Sequence, residues 1–238
     1  MKLPTLCEGR LVVRRNRFVA EVELDDGRRV LAHCPNTGSM LGCRDPGSRV
    51  WLSPASTPGR KLAWTWELVE AAGTLVGIHT GRSNGLVREA IEAGRVAELS
   101  GYARLRPEVR YGANSRIDFL LEGGGRPPCW VEVKNVTAAV EGSVGYFPDA
   151  VTERGSRHLR EMQSRVAAGD CAAIVFCVQR ADVVEVRPAD RIDPAYGRAL
   201  REALAAGVVA LALGAEVDLR EIRLVRRLPI VISQRSSG

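Results

Sequence analysis

The chain changes rhythm near Gly81, and that change limits the folds open to it. Before it, short apolar stretches alternate with turn formers, and none has helical spacing. Leu11-Val12-Val13 runs into the turn Arg14-Arg15-Asn16-Arg17. Phe18, Ala20, Val22 and Leu24 then alternate with polar partners as far as Asp26-Gly27, a hairpin signal. Val30-Leu31-Ala32 returns, Pro35-Asn36-Thr37-Gly38 loops, and Pro46-Gly47 turns into Val50-Trp51-Leu52. Four or five short strands in this space predict a small barrel of the OB type. A further strand pair near residues 65–69 and 74–79 either completes the barrel or leads out of it.

Beyond Gly81 helices and strands alternate. Residues 84–99 predict a helix with Leu86, Val87, Ala90, Ile91 and Val96 on its apolar face and Gly101 just past its end. Strands at 105–111, 115–121 and 129–136 follow, then a helix at 150–168 stopped near Gly169. Residues 172–178 are wholly apolar and read as a central, buried strand. A helix at 194–206 and a final core strand at 208–213 complete the order. This predicts a mixed sheet flanked by helices. The fold class is therefore α/β (α+β), with a small barrel domain in residues 1–80 and a mixed-sheet domain in 81–238. The tail, 233–238, is expected to fray.

No apolar run reaches the roughly 18 residues of a membrane span, and residues 1–9 lack the apolar core of a signal peptide. The six cysteines show neither a C-x-x-C pair nor zinc-type clustering, and read as buried thiols in a reducing cytoplasm. A net charge of +6 favours a polyanionic partner, although a solvated basic surface fits as well. Of the 34 basic residues only Lys2, Lys61 and Lys134 are lysine, so a lysine in mid-chain hints that lysine chemistry is wanted there.

Side chains alternate along a strand, so Asp118 shares a face with Arg116 and Leu120, while Glu132 and Lys134 share a face with Trp130. If the two strands pair, two carboxylates and an ammonium meet. Such a cluster is costly unless it binds something, and a magnesium or manganese ion would resolve the repulsion, with Lys134 orienting water or steadying a phosphate. The competing reading is an exposed Glu-Lys pair on an edge strand. Asp118 followed, after thirteen residues, by Glu132-Val133-Lys134 resembles the PD-(D/E)xK nuclease-like superfamily, whose order of elements also matches.

Longer strings narrow the resemblance. His33-Cys34-Pro35-Asn36-Thr37-Gly38, Glu108-Val109-Arg110-Tyr111-Gly112, Ser115-Arg116-Ile117-Asp118-Phe119 and Phe147-Pro148-Asp149-Ala150-Val151-Thr152-Glu153-Arg154-Gly155 are similar to the sugar fermentation stimulation protein A family, over essentially the whole chain. The resemblance implies an N-terminal OB-like domain and a C-terminal nuclease-like domain. It also implies DNA binding without strong sequence preference and a role in regulating bacterial sugar (maltose) metabolism. Ser39 stands where the family often has arginine, which weakens any phosphate contact by that loop.

Asp118, Glu132 and Lys134 are thus the candidate catalytic residues. Asp118, Glu132 and a helix glutamate, Glu89, are the candidate metal ligands, with Glu92, Glu98 and Glu108 as competitors for the third place. Asp149 follows Pro148 and reads as a helix cap. Positions 154, 157, 158, 161 and 165 fall near one helix face, so Arg154, Arg157 and His158 read either as a phosphate-facing ridge or as a charged outer face. Arg116 and the barrel turn Arg14, Arg15 and Arg17, beside Phe18, complete the nucleic-acid candidates. With 5% aromatic residues, backbone contacts should dominate binding. The tryptophans read as packing residues, and the 33–38 loop as a tight Asx-type turn. Two further readings stay open, a non-catalytic DNA-binding regulator and an RNA-binding or processing protein, and a homodimer is one open oligomeric state.

Overall fold

The computed structural model describes residues 1–55, 59–111, 115–139 and 142–232, with Ser115 described by its backbone alone. The tail 233–238 and Gly112 lie outside the described residues. Five strands close a barrel: β1 (Cys7–Asn16), β2 (Val19–Leu24), β3 (Arg29–His33), β4 (Arg49–Pro54) and β5 (Trp64–Ala71). Neighbours β1–β2, β2–β3, β1–β4 and β4–β5 are antiparallel, and a parallel contact between β3 and β5 shuts the cylinder. Leu11, Ala20, Val22, Leu52 and Trp66 fill it, as inward-facing alternate residues must. Strand β5 completes the barrel, whereas β6 (Thr74–Gly77) leads out toward the second domain, where Val76 bridges to Arg180.

The second domain begins with α1 (Arg82–Glu92), a short 3-10 turn (Ala97–Leu99), and strands β7 (Arg104–Tyr111), β8 (Ser115–Glu122) and β9 (Cys129–Val136). It continues through β10 (Val144–Phe147), α2 (Glu153–Ala167), β11 (Cys171–Val178), β12 (Glu185–Pro188), α3 (Pro194–Ala205), β13 (Val209–Val217) and β14 (Ile222–Leu228). Its six-stranded sheet runs β14-β13-β11-β9-β8-β7. The central strands β9, β11 and β13 are parallel and the outer ones antiparallel. Both faces are covered, which explains the unbroken apolar run of β11. On one face Leu86 and Val87 of α1 and the barrel residues Trp51 and Leu68 pack with Phe119, Val131 and Val175. On the other, Leu159 and Met162 of α2 and Leu200 of α3 pack with Trp130, Ile174 and Phe176.

Three expectations change, and one pair of strands is new. The first helix is shorter than 84–99, because Gly94 takes a left-handed φ of 68° that ends it and lets Ala93 N–H turn back onto the last carbonyls. The second helix starts later than residue 150, because Thr152 is its cap and accepts from Gly155 N–H, whereas Asp149 faces the barrel. The last strand runs on to Val217 and is followed by β14. A separate parallel pair, β10 with β12, adds strands in stretches for which no element was predicted.

The domains meet through named polar contacts. Asn36 Oδ1 accepts from Gly38 N–H, the expected Asx turn, and the Asp149 carboxylate lies against the loop and accepts from Met40 N–H at 3.0 Å. A Cβ on Gly38 would lie 2.5 Å from Asp149 Oδ2, so only glycine permits this approach. Glu67 of β5 and Arg82 of α1 form a buried two-pronged ion pair, each N···O contact 2.8 Å. Gln179 Nε2 donates to Asn135 Oδ1 and Ser83 Oγ, and its backbone carbonyl accepts from Gly77 N–H of β6.

Candidate functional site

Strands β8 and β9 are paired only from Phe119↔Val131 to Leu121↔Cys129. Continuing that register would set Ile117 against Val133. The Asp118 side chain intervenes: its Oδ2 accepts from Val133 N–H at 2.7 Å, and its Oδ1 accepts from Asn84 Nδ2–H of α1 at 2.8 Å. The sheet therefore splits at Asp118, and an open cleft of about 420 Å³ forms there, lined by Glu108, Arg116, Asp118, Glu132, Arg154, Arg157 and His158. Glu108 holds a φ of 53°, which costs a non-glycine residue on the order of 1 kcal/mol and marks a backbone held by its surroundings.

Glu132 sits on the middle strand, buried beneath α2. Its Oε1 takes Lys134 Nζ–H at 2.7 Å and meets His158 Nδ1 at 2.6 Å. Arg154 Nε–H donates to His158 Nε2 at 3.3 Å, which leaves the ring proton on Nδ1, directed at Glu132. Burial pushes the Glu132 carboxyl up, but the bond from His158 and the Lys134 charge outweigh it and hold the group below the usual glutamate range. Oε2 of the same carboxylate is buried and has no protein partner among the described residues. Asp118 goes the other way. Burial first, then the Glu132 charge, push it up to about 6, against the bonds from Val133 and Asn84 and the Lys134 charge. Two carboxylates with opposed shifts thus meet here, and one of them keeps a buried oxygen without a donor among the described residues.

Among the described residues no three His, Cys, Asp or Glu side chains converge as a ready ligand set. A hard cation that keeps several waters suits such a site better than one needing a full protein cage. Asp118 and the free Oε2 of Glu132 are the groups that fit it.

The structure brings Asp118, Glu132, Arg116, Arg154, Arg157 and His158 to one cleft, with Lys134 bound to Glu132 from the same strand. Glu89 is elsewhere: it is exposed and pairs with the Met1 amine at 2.8 Å, because it lies on the flank of α1 turned toward residues 1–3. Glu92 pairs with Arg88 on the outer face of α1, and Glu98 with Arg227. The helix contributes Asn84 instead, a residue the sequence reading passed over. Its signal was an amide in the first helical turn, where a buried polar side chain needs a partner. Glu108, one of the competitors for a metal ligand, does line the cleft.

His158 is 2% exposed, so it lies beneath the arginine ridge and acts on the site through Glu132. Arg165 is outside the ridge, stacked 4.1 Å from the Trp130 ring centroid. On the barrel, Arg14 is committed to the 36–39 loop, donating to Asn36 O at 2.7 Å and Gly38 O at 3.0 Å. Arg15 pairs with Glu21. Arg17 is exposed beside Phe18, itself 55% exposed, and has no ion pair among the described residues.

Known proteins carry the same two-part architecture. Residues 12–78 match the SfsA N-terminal OB domain, and residues 81–221 match the sugar fermentation stimulation protein RE domain. The chain belongs to the sugar fermentation stimulation protein family. A homolog of that protein from Geobacter sulfurreducens is 60% identical over 96% of this chain and 97% of its own. One from Thioalkalivibrio sulfidiphilus is 59% identical over 97% and 98%. The solved structure of Pyrococcus furiosus SfsA in complex with Ca2+ superimposes with a TM-score of 0.87 at 30% identity, over 97% of this chain and 98% of that one. Among the described residues no helix is long and apolar enough to cross a membrane.

Proposed function

We propose that this family member is a cytoplasmic protein that binds DNA with little sequence preference in the cleft beside Asp118, and that it cleaves phosphodiesters there with a divalent cation, magnesium or manganese. The observation that carries the reading is the buried, partnerless Oε2 of Glu132, a residue that lines the same cleft as Asp118. The Ca2+ bound by the related Pyrococcus furiosus protein supports it by analogy. When bound, such a cation supplies a water of lowered pKa and positive charge at the phosphate.

The chain's own residues do the rest. Arg116, Arg154 and Arg157 are exposed guanidiniums along the cleft and suit the non-bridging oxygens of a backbone phosphate, which they contact without reading bases. His158 and Lys134 both engage Oε1 of Glu132 and so leave Oε2 free for a ligand. Asn84 and the Val133 amide fix the Asp118 carboxylate. Such binding should weaken steeply with salt. Control of sugar fermentation, the theme of the family's name, would follow from this DNA binding.

The test combines calorimetry with Mg2+, Mn2+ and Ca2+ and cleavage assays on single- and double-stranded DNA. Cation binding by the wild type that is lost in Asp118→Ala, with cleavage that exceeds a Lys134→Ala control, is the expected result. A wild type that binds none of the three cations sinks the metal reading. One observation favours a second reading, binding without turnover: the Lys134 ammonium is engaged by Glu132 and does not line the cleft. That reading predicts salt-sensitive DNA binding unchanged by Asp118→Ala, with no cleavage. Competition between DNA and RNA for the cleft separates the RNA-binding alternative.

A further inference from the structure

Cys129 opens β9 and Cys171 opens β11, and the two are direct register partners across the parallel pair. Their Sγ atoms are 2.7 Å apart. Neighbouring strands run about 4.7–4.9 Å apart, within the Cα separation of about 4.4–6.8 Å that a disulfide spans. The two sulfurs can therefore be joined without parting the strands. Neither cysteine lines the cleft.

The surroundings make the two thiols unequal. Cys129 is fully buried, while Cys171 is half-buried and open to small reagents. The Arg126 guanidinium lies 4.7 Å from the Tyr102 ring centroid and brings positive charge to this end of the sheet. The Cys129 S–H donates to the Cys171 sulfur and, helped by Tyr102 and Arg126 and opposed by burial, holds the Cys171 thiol below its usual range. Burial pushes the thiols of Cys34, Cys43 and Cys177 up, which makes them poor nucleophiles.

We infer that Cys129 and Cys171 form a reversible oxidation site, a dithiol that a peroxide converts into a cross-strand disulfide. Hydrogen peroxide is the oxidant. The Cys171 thiolate attacks one peroxide oxygen, the O–O bond breaks, and Cys171 becomes a sulfenic acid as hydroxide leaves. The Cys129 sulfur then attacks the Cys171 sulfur, the S–O bond breaks, and water departs with the Cys129 proton. The pair loses two electrons and the peroxide gains them. A small dithiol reverses the change by thiol–disulfide exchange.

The experiment treats the whole protein with hydrogen peroxide, blocks remaining thiols under denaturing conditions, and maps peptides by mass spectrometry. The expected result is a fall from six free thiols to four, with Cys129 and Cys171 linked at a loss of two hydrogens, and full recovery with dithiothreitol. In Cys129→Ser the reaction should stop at a Cys171 sulfenic acid that dimedone traps. Six thiols surviving peroxide, a link to any other cysteine, or Cys171 passing to sulfinic acid while Cys129 stays free would each overturn the inference.

Discussion

Two glutamates are buried to nearly the same degree, Glu67 at 3% and Glu132 at 4% exposure, yet their oxygens are used differently. Glu67 sits between the domains with both oxygens used: Oε1 takes Ser53 and Arg82, and Oε2 takes Arg82 again. Glu132 sits above the cleft with its cationic partner and its histidine crowded onto one oxygen while the other is left bare. Burial alone does not distinguish a structural carboxylate from a chemical one. The unsatisfied oxygen is what marks Glu132 as the candidate for ligand binding, because an unsatisfied buried acceptor costs stability.

Removing Glu67 should do the most damage. Glu67→Ala strands Arg82 at the interface, and urea unfolding should register a loss of about 3–5 kcal/mol. A loss below about 1 kcal/mol would erase the contrast. The next effect is a pH dependence. Asp118 is raised to about 6 in the folded chain, above its unfolded value near 4, so the folded state holds the extra proton between those values. Stability from this group is therefore full below about pH 4 and falls as pH rises to 6, by about 3 kcal/mol at most. The difference in stability between wild type and Asp118→Asn, followed across that window, should show the slope. Added Mg2+ should remove the fall at the high-pH end if the cleft holds the ion.

Gly38→Ala tests the interface from its other side. The new methyl meets the Asp149 carboxylate at 2.5 Å, and thermal unfolding should report a cost of about 2 kcal/mol. The smallest expected effect is the most discriminating. Glu132→Gln keeps an acceptor for Lys134 and His158, so stability should move by less than about 1 kcal/mol while cation affinity is lost. A loss as large as that of Glu67→Ala would make Glu132 a structural residue after all.

Much of this was legible in the chain. Strand alternation set Glu132 beside Lys134, and the short spacing to Asp118 let a hairpin bring the two carboxylates to one cleft. The unbroken apolar run of residues 172–178 marked the centre of the sheet. What escaped was long-range or a matter of depth. Helical periodicity gives a face but not the partner behind it, so Glu89 was chosen where Asn84 reaches Asp118. The same periodicity grouped His158 with Arg154 and Arg157 but could not reveal that His158 lies buried beneath them. Asp149 closes a contact with Met40 across 109 positions, and Cys129 meets Cys171 across 42, so no local spacing announces either. The four-residue strands β10 and β12 pair in parallel across a helix and a central strand, which leaves no hairpin signature.

The split between β8 and β9 has one more consequence. Val133 N–H is held by a carboxylate rather than by a neighbouring strand. Its amide resonance is therefore a built-in indicator of the cleft: it should titrate with Asp118 near pH 6, shift when a cation draws on that carboxylate, and exchange with solvent faster in Asp118→Ala, while the amide of Val131, within the paired stretch, stays still.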